Sequence, residues 1–425
     1  MTRLQDIASC VAGYDPNALP VAQAQEFIAR LVPRVDAIES VPIRSALGRV
    51  LARDVVSQIN VPASDNSAMD GYALRGSDLL VDAPTALELV GTGLAGDAFV
   101  GDVLAGQCLR IMTGAVMPAG LDTVVPQEFC SASEGKVTIP PGVVQPGDNR
   151  RLAGEDLAAG EVALHEGRVL RPADIGMLAS LGQAEVAVFR KLRVAFFSTG
   201  DELRSIGEPL AEGCVYDSNR YTMWAMLQRL GVDMLDMGVV RDDPAALEAT
   251  FRRAAESADA VITSGGVSVG EADHTKRVMA ALGDVLFWRI AMRPGRPMAI
   301  GQIRSSGHNA ILFGLPGNPV AVMVTFYAFV RNALLAMSGA TPQTLPMLRA
   351  ASDKAIRKKP GRTEYQRGVV SRGDDGSWRV AITGSQGSGI LRSMSEANGL
   401  VVLHHEQGNV AAGELVDVLP FDGLI

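Results

Sequence analysis

The sequence predicts a multidomain α/β protein, in which a parallel sheet covered by helices is flanked by β-rich segments. Three observations support this fold class. The 425 residues exceed what one hydrophobic core usually serves, so two to four domains are expected. Hydrophobic residues make up 47% and charged residues 20%, as in a folded globular protein. After residue 191, short apolar runs alternate with helix-like segments, which is the pattern of a parallel sheet.

The segments before residue 191 have a different pattern of apolar and turn-forming residues. Residues 21–56 carry helical periodicity, with Phe27, Ile28 and Leu31 spaced for one helix face. Residues 59–148 alternate short apolar runs with Gly and Pro turns, which predicts a β-rich domain. Helical character returns at residues 171–181.

Four apolar runs define the expected parallel sheet: VAFFSTG from residue 194, MLDMGVV from 234, AVITSGG from 260 and AILFGLPG from 310. Helices are predicted at residues 220–230 and 244–257, between the first three runs. Two more strands are expected around the Pro/Gly loop between the third and fourth runs. From about residue 345 the chain is β-like again and forms a small separate C-terminal domain.

Charge and composition exclude several classes of function. The net charge of −8 argues against nonspecific nucleic-acid or anionic-membrane binding, although a local basic pocket could still hold a small anion. Four separated cysteines without a CxxC pair fit a reducing cytosol rather than a disulfide framework or a zinc site. With only five histidines, any metal is expected to be a hard, oxygen-liganded ion.

Membrane insertion and secretion are not expected. The N-terminal residues lack a sustained apolar stretch, which argues against a secretory signal. The apolar residues 319–330 are shorter than the roughly 20 residues that span a bilayer, so a buried helix is expected there. The sequence therefore predicts a cytoplasmic protein.

A loop rich in glycine and serine follows the third apolar run, in ITSGGVSVGEADHT at residues 262–275. Glycine lets backbone N–H groups approach an anion, and serine hydroxyls add donors. The alternative, an ordinary strand-to-helix turn, would explain one serine and one glycine but not the whole set. The pattern favours an anion cradle formed by Ser264, Gly265, Gly266, Ser268 and Gly270. Thr199 and Gly200 form a similar junction after the first run.

Carboxylates follow the ends of three predicted strands, at Glu202, Asp242 and Asp273. Because the carboxyl ends of parallel strands share one edge, we expect these side chains on one rim. Carboxylates beside an anion cradle would repel the ligand unless a divalent cation lies between them, and Mg²⁺ is the usual one. The rim therefore indicates a magnesium site, with solvated surface acids as the alternative. Asp243, directly before Pro244, is explained as a helix N-cap.

The corner LPGNPV at residues 315–320 joins the fourth run to a helix. Asn318 can cap that helix and Pro319 suits its first position, so a purely structural corner is one interpretation. Free N–H groups at the start of the helix would face the same rim.

Arginines are frequent in FWRIAMRPGRP, residues 287–297. Strand alternation would place Arg289 and Arg293 on one face if the strand continues. Guanidinium groups bind tetrahedral oxyanions in a bidentate manner, and an exposed basic strand is the alternative. A GxGxxG match at residues 91–96 lacks the following helix that a dinucleotide site requires, so a hairpin is expected there.

Seven motifs, taken in order, resemble those of the molybdopterin molybdenumtransferase family, which includes the C-terminal enzymatic domain of gephyrin. They are DNSAMDGY at residues 65–72, RIMTG at 110–114, GED at 154–156, STGDEL at 198–203, SGGVSVGEAD at 264–273, LPGNPV at 315–320 and YQRG at 365–368. The resemblance extends from about residue 21 to the C-terminus.

The resemblance implies an elongated homodimer with four domains in each subunit. These are a discontinuous helical and extended domain I at residues 1–58 and 152–190, a β-rich domain II at 59–151, an α/β molybdopterin-binding domain III at 191–340 and a small C-terminal β-barrel, domain IV, at 341–425. The active site would be shared between subunits, and transient contacts with other proteins of molybdenum cofactor biosynthesis are expected.

The resemblance also implies the reaction and its residues. Molybdate is inserted into the dithiolene of adenylylated molybdopterin, the pyrophosphate bond is cleaved, and molybdenum cofactor and AMP leave. Mg²⁺ held by Glu202, Asp242 and Asp273 would neutralise the pyrophosphate. By similarity, the remaining catalytic residues are Asp70, Thr113 and Asp156. The substrate-binding set is Asn66, Ser67, Thr199, Gly200, Ser264, Gly265, Gly266, Ser268, Gly270, Pro316, Asn318 and Pro319.

Molybdate would be bound by Arg293, Arg296, Arg367 and Ser388, according to the same resemblance. The family commonly carries lysines where this chain has Arg293 and Arg296, and an arginine fork differs from an ammonium group in size and geometry. Two other functions stay open: a non-catalytic molybdopterin-binding scaffold, and the related adenylyltransferase. Intact Asp70, Glu202, Asp242 and Asp273 favour the enzyme over the scaffold. The long β-rich domain and C-terminal segment favour it over the adenylyltransferase.

Overall fold

The computed structural model of the chain describes residue 4, residues 15–267 and residues 274–421. Three residues of the predicted site, Ser268, Gly270 and Asp273, lie outside the described residues, as does Cys10. The other cysteines, Cys108, Cys130 and Cys214, carry free thiols.

The first described helix, α1 (Val21–Leu31), packs on the α/β part of the chain. Its buried face includes Phe27 and Ile28, and the Phe27 ring meets the Trp288 ring edge-on at 5.1 Å between centroids. The predicted helical stretch at residues 21–56 is wrong beyond Leu31. Pro33 cannot continue the helical hydrogen bonding, and the following residues pair as strands with a later segment.

The strands before residue 190 form an extended layer and a β-rich unit. In chain order they are β1 (Ile38–Pro42), β2 (Val55–Val56), β3 (Asn66–Ser67), β4 (Gly71–Leu74), β5 (Thr85–Gly93), β6 (Gln107–Ile111), β7 (Thr123–Pro126), β8 (Ser131–Ser133), β9 (Lys136–Ile139), β10 (Arg150–Arg151), β11 (Val162–Leu164) and β12 (Glu185–Phe189). Short 3₁₀ turns lie at Ile43–Ser45, Gly76–Asp78 and Gln127–Phe129. Helix α2 (Pro172–Ser180) precedes β12.

Pairing between distant segments explains how these strands are arranged. β1 pairs with β12 and β2 with β11, so the chain leaves this layer and returns to it. Between them, strands in the order β7-β4-β6-β5-β9-β8 form one sheet over a core that includes Leu109, Ile111 and Val124. The GxGxxG stretch ends β5 and turns at Leu94 and Asp97 without a helix, as predicted. It is therefore no dinucleotide turn.

The predicted parallel sheet is present in the α/β part. Its elements are β13 (Arg193–Thr199), β14 (Leu203–Arg204), β15 (Val215–Tyr216), α3 (Ser218–Leu230), β16 (Asp233–Val240), α4 (Pro244–Ser257), β17 (Ala260–Ser264), α5 (His274–Leu282), β18 (Gly283–Arg289), β19 (Met292–Arg293), β20 (Pro297–Ser305), β21 (His308–Leu315), α6 (Pro319–Thr325), a π-helical turn (Phe326–Val330) and α7 (Arg331–Met337). Six of these strands form one sheet in the order β16-β13-β17-β21-β20-β18, the first four parallel and the last two antiparallel.

Separate hydrophobic cores cover the two faces of this sheet. Phe196 and Phe313 point into the core that contains α1, α3 and α6, whereas Phe197 and Leu312 point into the core beneath α4 and α5. Because both faces are buried, the central strands β13, β17 and β21 contain continuous apolar runs, which can be recognised in the sequence, whereas the edge strand β16 is partly exposed.

Helix α6, the π-helical turn and helix α7 follow one another without a break and form one continuous apolar helix. This helix spans the 19 residues Pro319–Met337 and, by length and composition alone, could cross a membrane. It is, however, 67% buried within the fold, and Val320, Val322 and Phe326 are fully buried. The expected buried helix is therefore confirmed, although it is longer than the sequence suggested.

The C-terminal part is a small closed barrel, as the resemblance implied. Its elements are β22 (Leu348–Ser352), β23 (Thr363–Arg372), β24 (Trp378–Ile382), α8 (Arg392–Glu396), β25 (Gly399–Leu403) and β26 (Leu415–Pro420). The pairing of β23 with β25 closes the ring. β19 also joins β23, so the loop after β18 connects the α/β part to the barrel. The domain boundaries given above stay predictions.

Candidate active site

The carboxyl ends of the four parallel strands meet at one edge of the sheet. Thr199 at the end of β13 is aligned with Val240 on β16, and Ser264 on β17 is aligned with Leu315 on β21. The loops that leave these strands therefore start side by side. This edge is where α/β sheets usually bind their ligands.

Gly265 allows the backbones of three strand ends to approach each other. Its φ of +92° lies in the left-handed region, and its N–H donates to the Leu315 carbonyl at 3.1 Å. A Cβ at this position would lie 2.5 Å from the Thr199 carbonyl oxygen. On its other side, the Cα of Gly265 faces Gly317. The surface at this point is therefore bare peptide, as expected for an anion cradle.

Two carboxylates of the predicted metal rim lie at neighbouring strand ends. The Thr199 hydroxyl donates to the Asp242 carboxylate, and the Glu202 carboxylate folds back against Gly200. Both acidic side chains are exposed. Carboxylate oxygens are the donors that a hard dication prefers, so this pair fits the chemistry of Mg²⁺.

The third predicted ligand, Asp273, lies outside the described residues. Within the described part of the chain, no group of three or more His, Cys, Asp or Glu side chains is arranged to hold a metal ion. The magnesium site therefore stays a prediction; the described residues place Glu202 and Asp242 in the loops that follow two adjacent strands.

A buried polar cluster beneath the rim was not found from the sequence. The Ser198 hydroxyl donates to Asp217 at 3.0 Å and lies 3.2 Å from the Ser264 hydroxyl. The Asn219 amide donates to the Gly317 carbonyl at 2.7 Å and to the Ser264 hydroxyl at 3.3 Å. These contacts connect three strand ends. The Ser264 side chain, only 1% exposed, thus belongs to this cluster rather than to the surface of the cradle.

Asp217 is the central acid of this cluster and also the N-cap of α3. Burial raises the pKa of Asp217, while hydrogen bonds from the Arg220 amide and the Ser198 hydroxyl oppose the rise. One of its carboxylate oxygens and the amide oxygen of Asn219 are buried without a hydrogen-bond partner. The sequence signal was the polar run DSNR directly after a short apolar segment, which looks like ordinary helix capping.

The corner at residues 315–320 connects the rim to the barrel. Pro316 is buried, and Asn318 occupies the N-cap position of α6 without a capping hydrogen bond from its side chain, contrary to the capping interpretation. The Val320 N–H donates to the carbonyl of Ser388 at 3.0 Å. This donor of the helix start therefore holds a barrel loop instead of facing the rim.

Arg367 holds the same barrel loop from beneath. Its side chain is fully buried and donates to the carbonyls of Ser385 and Gly387, at 3.3 and 2.9 Å, and to the Ser393 hydroxyl at 3.0 Å. Burial and the nearby Arg293 guanidinium lower the pKa of Arg367. These contacts make Arg367 a residue that positions the loop carrying Ser388.

The arginines around residue 293 do not form the single strand face considered above. β18 ends at Arg289, and after a short break Arg293 pairs through β19 with Glu364 of the barrel. Arg293 and Arg296 are exposed. Arg293 and Arg367 therefore face the junction between the sheet and the barrel. Arg293 is exposed there, whereas the fully buried Arg367 guanidinium is bonded to the barrel loop.

Asp70 and Thr113 form a pair in the β-rich unit. The Thr113 backbone N–H and hydroxyl both donate to the same Asp70 oxygen at 2.7 Å, and these two bonds lower the pKa of the exposed Asp70 carboxyl. Asp156 is also exposed, and its backbone N–H donates to the Val61 carbonyl at 3.1 Å.

The other two predicted residues of this unit are less available to a substrate. The Ser67 hydroxyl is buried and donates to the Met69 carbonyl, and the side-chain oxygen of Asn66 is buried without a partner. Among the described residues, no hydrogen bond or ion pair joins residues 59–151 to residues 191–340. Among the residues that the structure describes, the Asp70 pair therefore has no hydrogen bond or ion pair to the rim of its own chain.

Three family models together match most of the chain. Residues 19–182 match the MoeA N-terminal region (domain I and II), residues 195–336 the probable molybdopterin binding domain, and residues 349–421 the MoeA C-terminal region (domain IV). The molybdopterin biosynthesis moeA protein of Pyrococcus horikoshii has a similar structure, with a TM-score of 0.81 and 28% identity over 95% of this chain and 100% of that one.

Full-length relatives agree with these models. The molybdopterin molybdenumtransferase of Haemophilus influenzae is 40% identical over 408 residues, which cover 96% of this chain and 100% of the relative. The protein of the same name from Nostoc is 37% identical over 94% of this chain and 93% of its own. On these matches, the chain belongs to the molybdopterin molybdenumtransferase family.

Proposed function

We propose that this chain is a transferase that inserts molybdenum into molybdopterin, using molybdate and adenylylated molybdopterin as substrates. One structural observation carries the proposal: the strand ends and the barrel loop are connected by direct contacts, and we treat them together as one candidate binding surface. Gly265 lies against the Thr199 carbonyl, Gly317 faces Gly265, and the next residues of that corner reach Ser388 of the barrel. A ligand with a phosphate at one end and an oxyanion at the other would match the two ends of this surface.

The carboxylate end of the surface is the proposed magnesium site. Glu202 and Asp242 would hold Mg²⁺ together with Asp273. The ion supplies charge neutralisation to the pyrophosphate of the substrate. The Thr199 hydroxyl keeps the Asp242 carboxylate in place, and the bare peptide at Gly265 admits the phosphate. Positioning and charge compensation can account for the reaction without a covalent protein intermediate.

The barrel end of the surface is the proposed molybdate site. Arg293 and Arg296 are exposed cations there, and Ser388 lies in the loop that Arg367 holds. A guanidinium fork can donate two hydrogen bonds to a tetrahedral oxyanion. Arg293 is the side chain that we expect to contact molybdate, whereas Arg367 acts through the loop.

We further propose a homodimer in the cytoplasm, in which Asp70, Thr113 and Asp156 of one subunit complete the site of the other. The exposed carboxylates of Asp70 and Asp156, and the Thr113 hydroxyl bound to Asp70, give this surface polar groups that could contact a polar substrate. Transient contacts with other proteins of cofactor biosynthesis would deliver the substrate and receive the product.

Incubation of the purified protein with adenylylated molybdopterin, Mg²⁺ and molybdate tests the proposed function. We expect release of AMP together with molybdenum cofactor. Absence of AMP release would leave the chain as a scaffold. Formation of adenylylated molybdopterin from molybdopterin and ATP would identify it as the adenylyltransferase instead.

Substitution of two adjacent aspartates tests the magnesium assignment. Asp242→Asn should remove most of the turnover and leave pterin binding largely intact, because only the charge of a proposed ligand is lost. Asp243→Asn is the matched control, since Asp243 caps α4 by accepting the Ala246 N–H at 2.8 Å and asparagine caps equally well. Full activity of Asp242→Asn would contradict the assignment.

A further inference from the structure

A cavity lies at the opposite end of the parallel sheet from the candidate active site. It has a volume of about 400 Å³ and is lined by Leu192 and Val232, which directly precede β13 and β16. The candidate active site lies at the other ends of these strands. β13 contains seven residues, so roughly 20 Å of strand separates the two places.

The lining of this cavity is strongly basic. Seven lining residues are Arg or Lys and none is Asp or Glu, although the chain carries a net charge of −8. Some of these cations are neutralised by acids outside the lining. The pairs are Arg49 with Glu39, Arg168 and Arg171 with Asp174, and Arg190 with Asp259. Arg229 also interacts with another part of the protein, which leaves Lys191 and Arg331.

Arg331 is a partly buried cation with an incomplete set of hydrogen bonds. Its guanidinium donates to the side chain of its neighbour Asn332 at 2.9 Å, and its Nε is buried without a hydrogen-bond partner. Burial lowers the pKa of Arg331. Neither Arg331 nor the exposed Lys191 makes an ion pair with a described residue. A half-buried cation without a counter-ion is unfavourable, and an anionic ligand would relieve this cost.

The cavity also has an apolar floor. Phe189, Leu192 and Val232 line it and are almost fully buried, and Leu335 adds aliphatic surface beside Phe189. A site that combines an apolar floor with a few charged groups is typical of small organic ligands, and about 400 Å³ is a sufficient volume. Inorganic phosphate alone would make no contact with the apolar floor.

We propose that this cavity binds a small organic phosphate, with its ring system on the apolar floor and its phosphate between Lys191 and Arg331. Residues 341–346, which connect the sheet to the barrel, also line the cavity. A bound ligand would therefore contact the segment that carries the barrel, about one strand length from the active site.

Photolabelling of the full chain with 8-azido-AMP tests this proposal. We expect label on the peptide that contains residues 331–346, with protection by AMP but little by adenosine or inorganic phosphate alone. Arg331→Met and Lys191→Met should each reduce this labelling about tenfold at half-saturating probe. Lys191 is exposed, so its variant keeps the test valid if Arg331→Met fails to fold.

Arg379→Met is the matched control, because Arg379 is a half-exposed arginine of the barrel, outside the cavity lining. It should be labelled like the parent chain. Label confined to peptides from the strand ends, such as residues 197–202, would overturn the proposal. So would labelling that is unchanged in both cavity variants, or labelling that appears only after dilution to monomers, since a second copy of the chain would then fill the cavity.

Discussion

Thr199 shows how a single side chain can prepare the candidate metal site. Its hydroxyl donates to the Asp242 carboxylate and is itself almost fully buried. Hydrogen bonds of this kind orient a carboxylate ligand and raise the affinity for the metal. Asp242 is otherwise exposed, so the Thr199 hydroxyl limits where its carboxylate can point.

We expect Thr199→Val to weaken the apparent affinity for Mg²⁺ by about tenfold to 100-fold, because valine keeps the shape but loses the donor. Turnover measured as a function of Mg²⁺ concentration would show this as a shift of the half-saturation point. Thr199→Ser keeps the hydroxyl and should remain near the parent value. An unchanged half-saturation point in the valine variant would mean that Asp242 does not bind the metal.

Thr113 has the corresponding role for Asp70. Its backbone N–H contributes most to lowering the pKa of Asp70 below 3.8, and its hydroxyl contributes next. A lowered pKa in the folded state means that the interaction stabilises the fold above pH 3.8 and is lost as the pH falls through the folded-state pKa.

We therefore expect Thr113→Val to raise the pKa of Asp70, but not fully to its ordinary value, because the backbone donor remains. Carboxyl ¹³C chemical shifts followed between pH 2 and 6 would measure the change. Thr113→Ser should titrate like the parent chain. A lower pKa in the valine variant would contradict the hydrogen-bonding explanation.

At the scale of elements, the barrel loop at residues 385–389 depends on contacts from two directions. Arg367 binds its carbonyls from inside the barrel, and the first free N–H of α6 binds the Ser388 carbonyl. Removing the guanidinium would remove two charge-assisted hydrogen bonds that hold this loop to the barrel.

We expect Arg367→Met to speed up hydrogen exchange in residues 385–389 by roughly tenfold to 100-fold, which corresponds to a loss of about 1.5–3 kcal/mol of local stability. Exchange followed by mass spectrometry provides the measurement. Arg379→Met removes a half-exposed arginine and should leave this loop unchanged. If Arg367 instead served only as a molybdate ligand, exchange without molybdate would be the same in both variants.

The elements of the α/β part could be predicted because local signals and burial agree there. Strands buried on both faces are continuously apolar, and Asp243 followed by Pro244 marks the start of α4 both in the sequence and in the fold. The helix predicted after Leu31 was wrong for the opposite reason. Its apolar residues suggested a helix, but β1 is formed by pairing with β12, almost 150 residues away. Such pairing leaves no local signal.

The sequence predicts those parts of the candidate site whose positions follow from where the strands end. Glu202 and Asp242 were placed at adjacent ends by topology alone. Side-chain direction was not predictable: Ser264 turns inward to the cluster of Asp217 and Asn219 instead of lining the cradle. Arg289 and Arg293 were separated because the chain leaves one sheet and joins another between them.

At the scale of the whole molecule, the two groups of proposed catalytic residues belong to units that do not bind each other within the described chain. Residues 59–151 make no hydrogen bond or ion pair with residues 191–340 among the described residues. The β-rich unit is instead connected through the extended layer, for example by the bridge between Val61 and Leu157. A second subunit could bring the Asp70 pair to the rim, which makes the site testable by mixing variants.

Mixing two inactive variants would reveal whether the site is shared between subunits. In a heterodimer of Asp70→Asn and Asp242→Asn, one shared site would combine an intact rim with an intact Asp70, and the other would contain both defects. Random assembly makes half of the dimers mixed, so about a quarter of the parent activity should return after subunit exchange. Asp242→Asn mixed with Glu202→Gln is the matched control, because both changes affect the rim and no intact site can form. If the Asp70 variant mixture also stays inactive while exchange is verified by mass spectrometry, the Asp70 pair acts within its own chain or not at all.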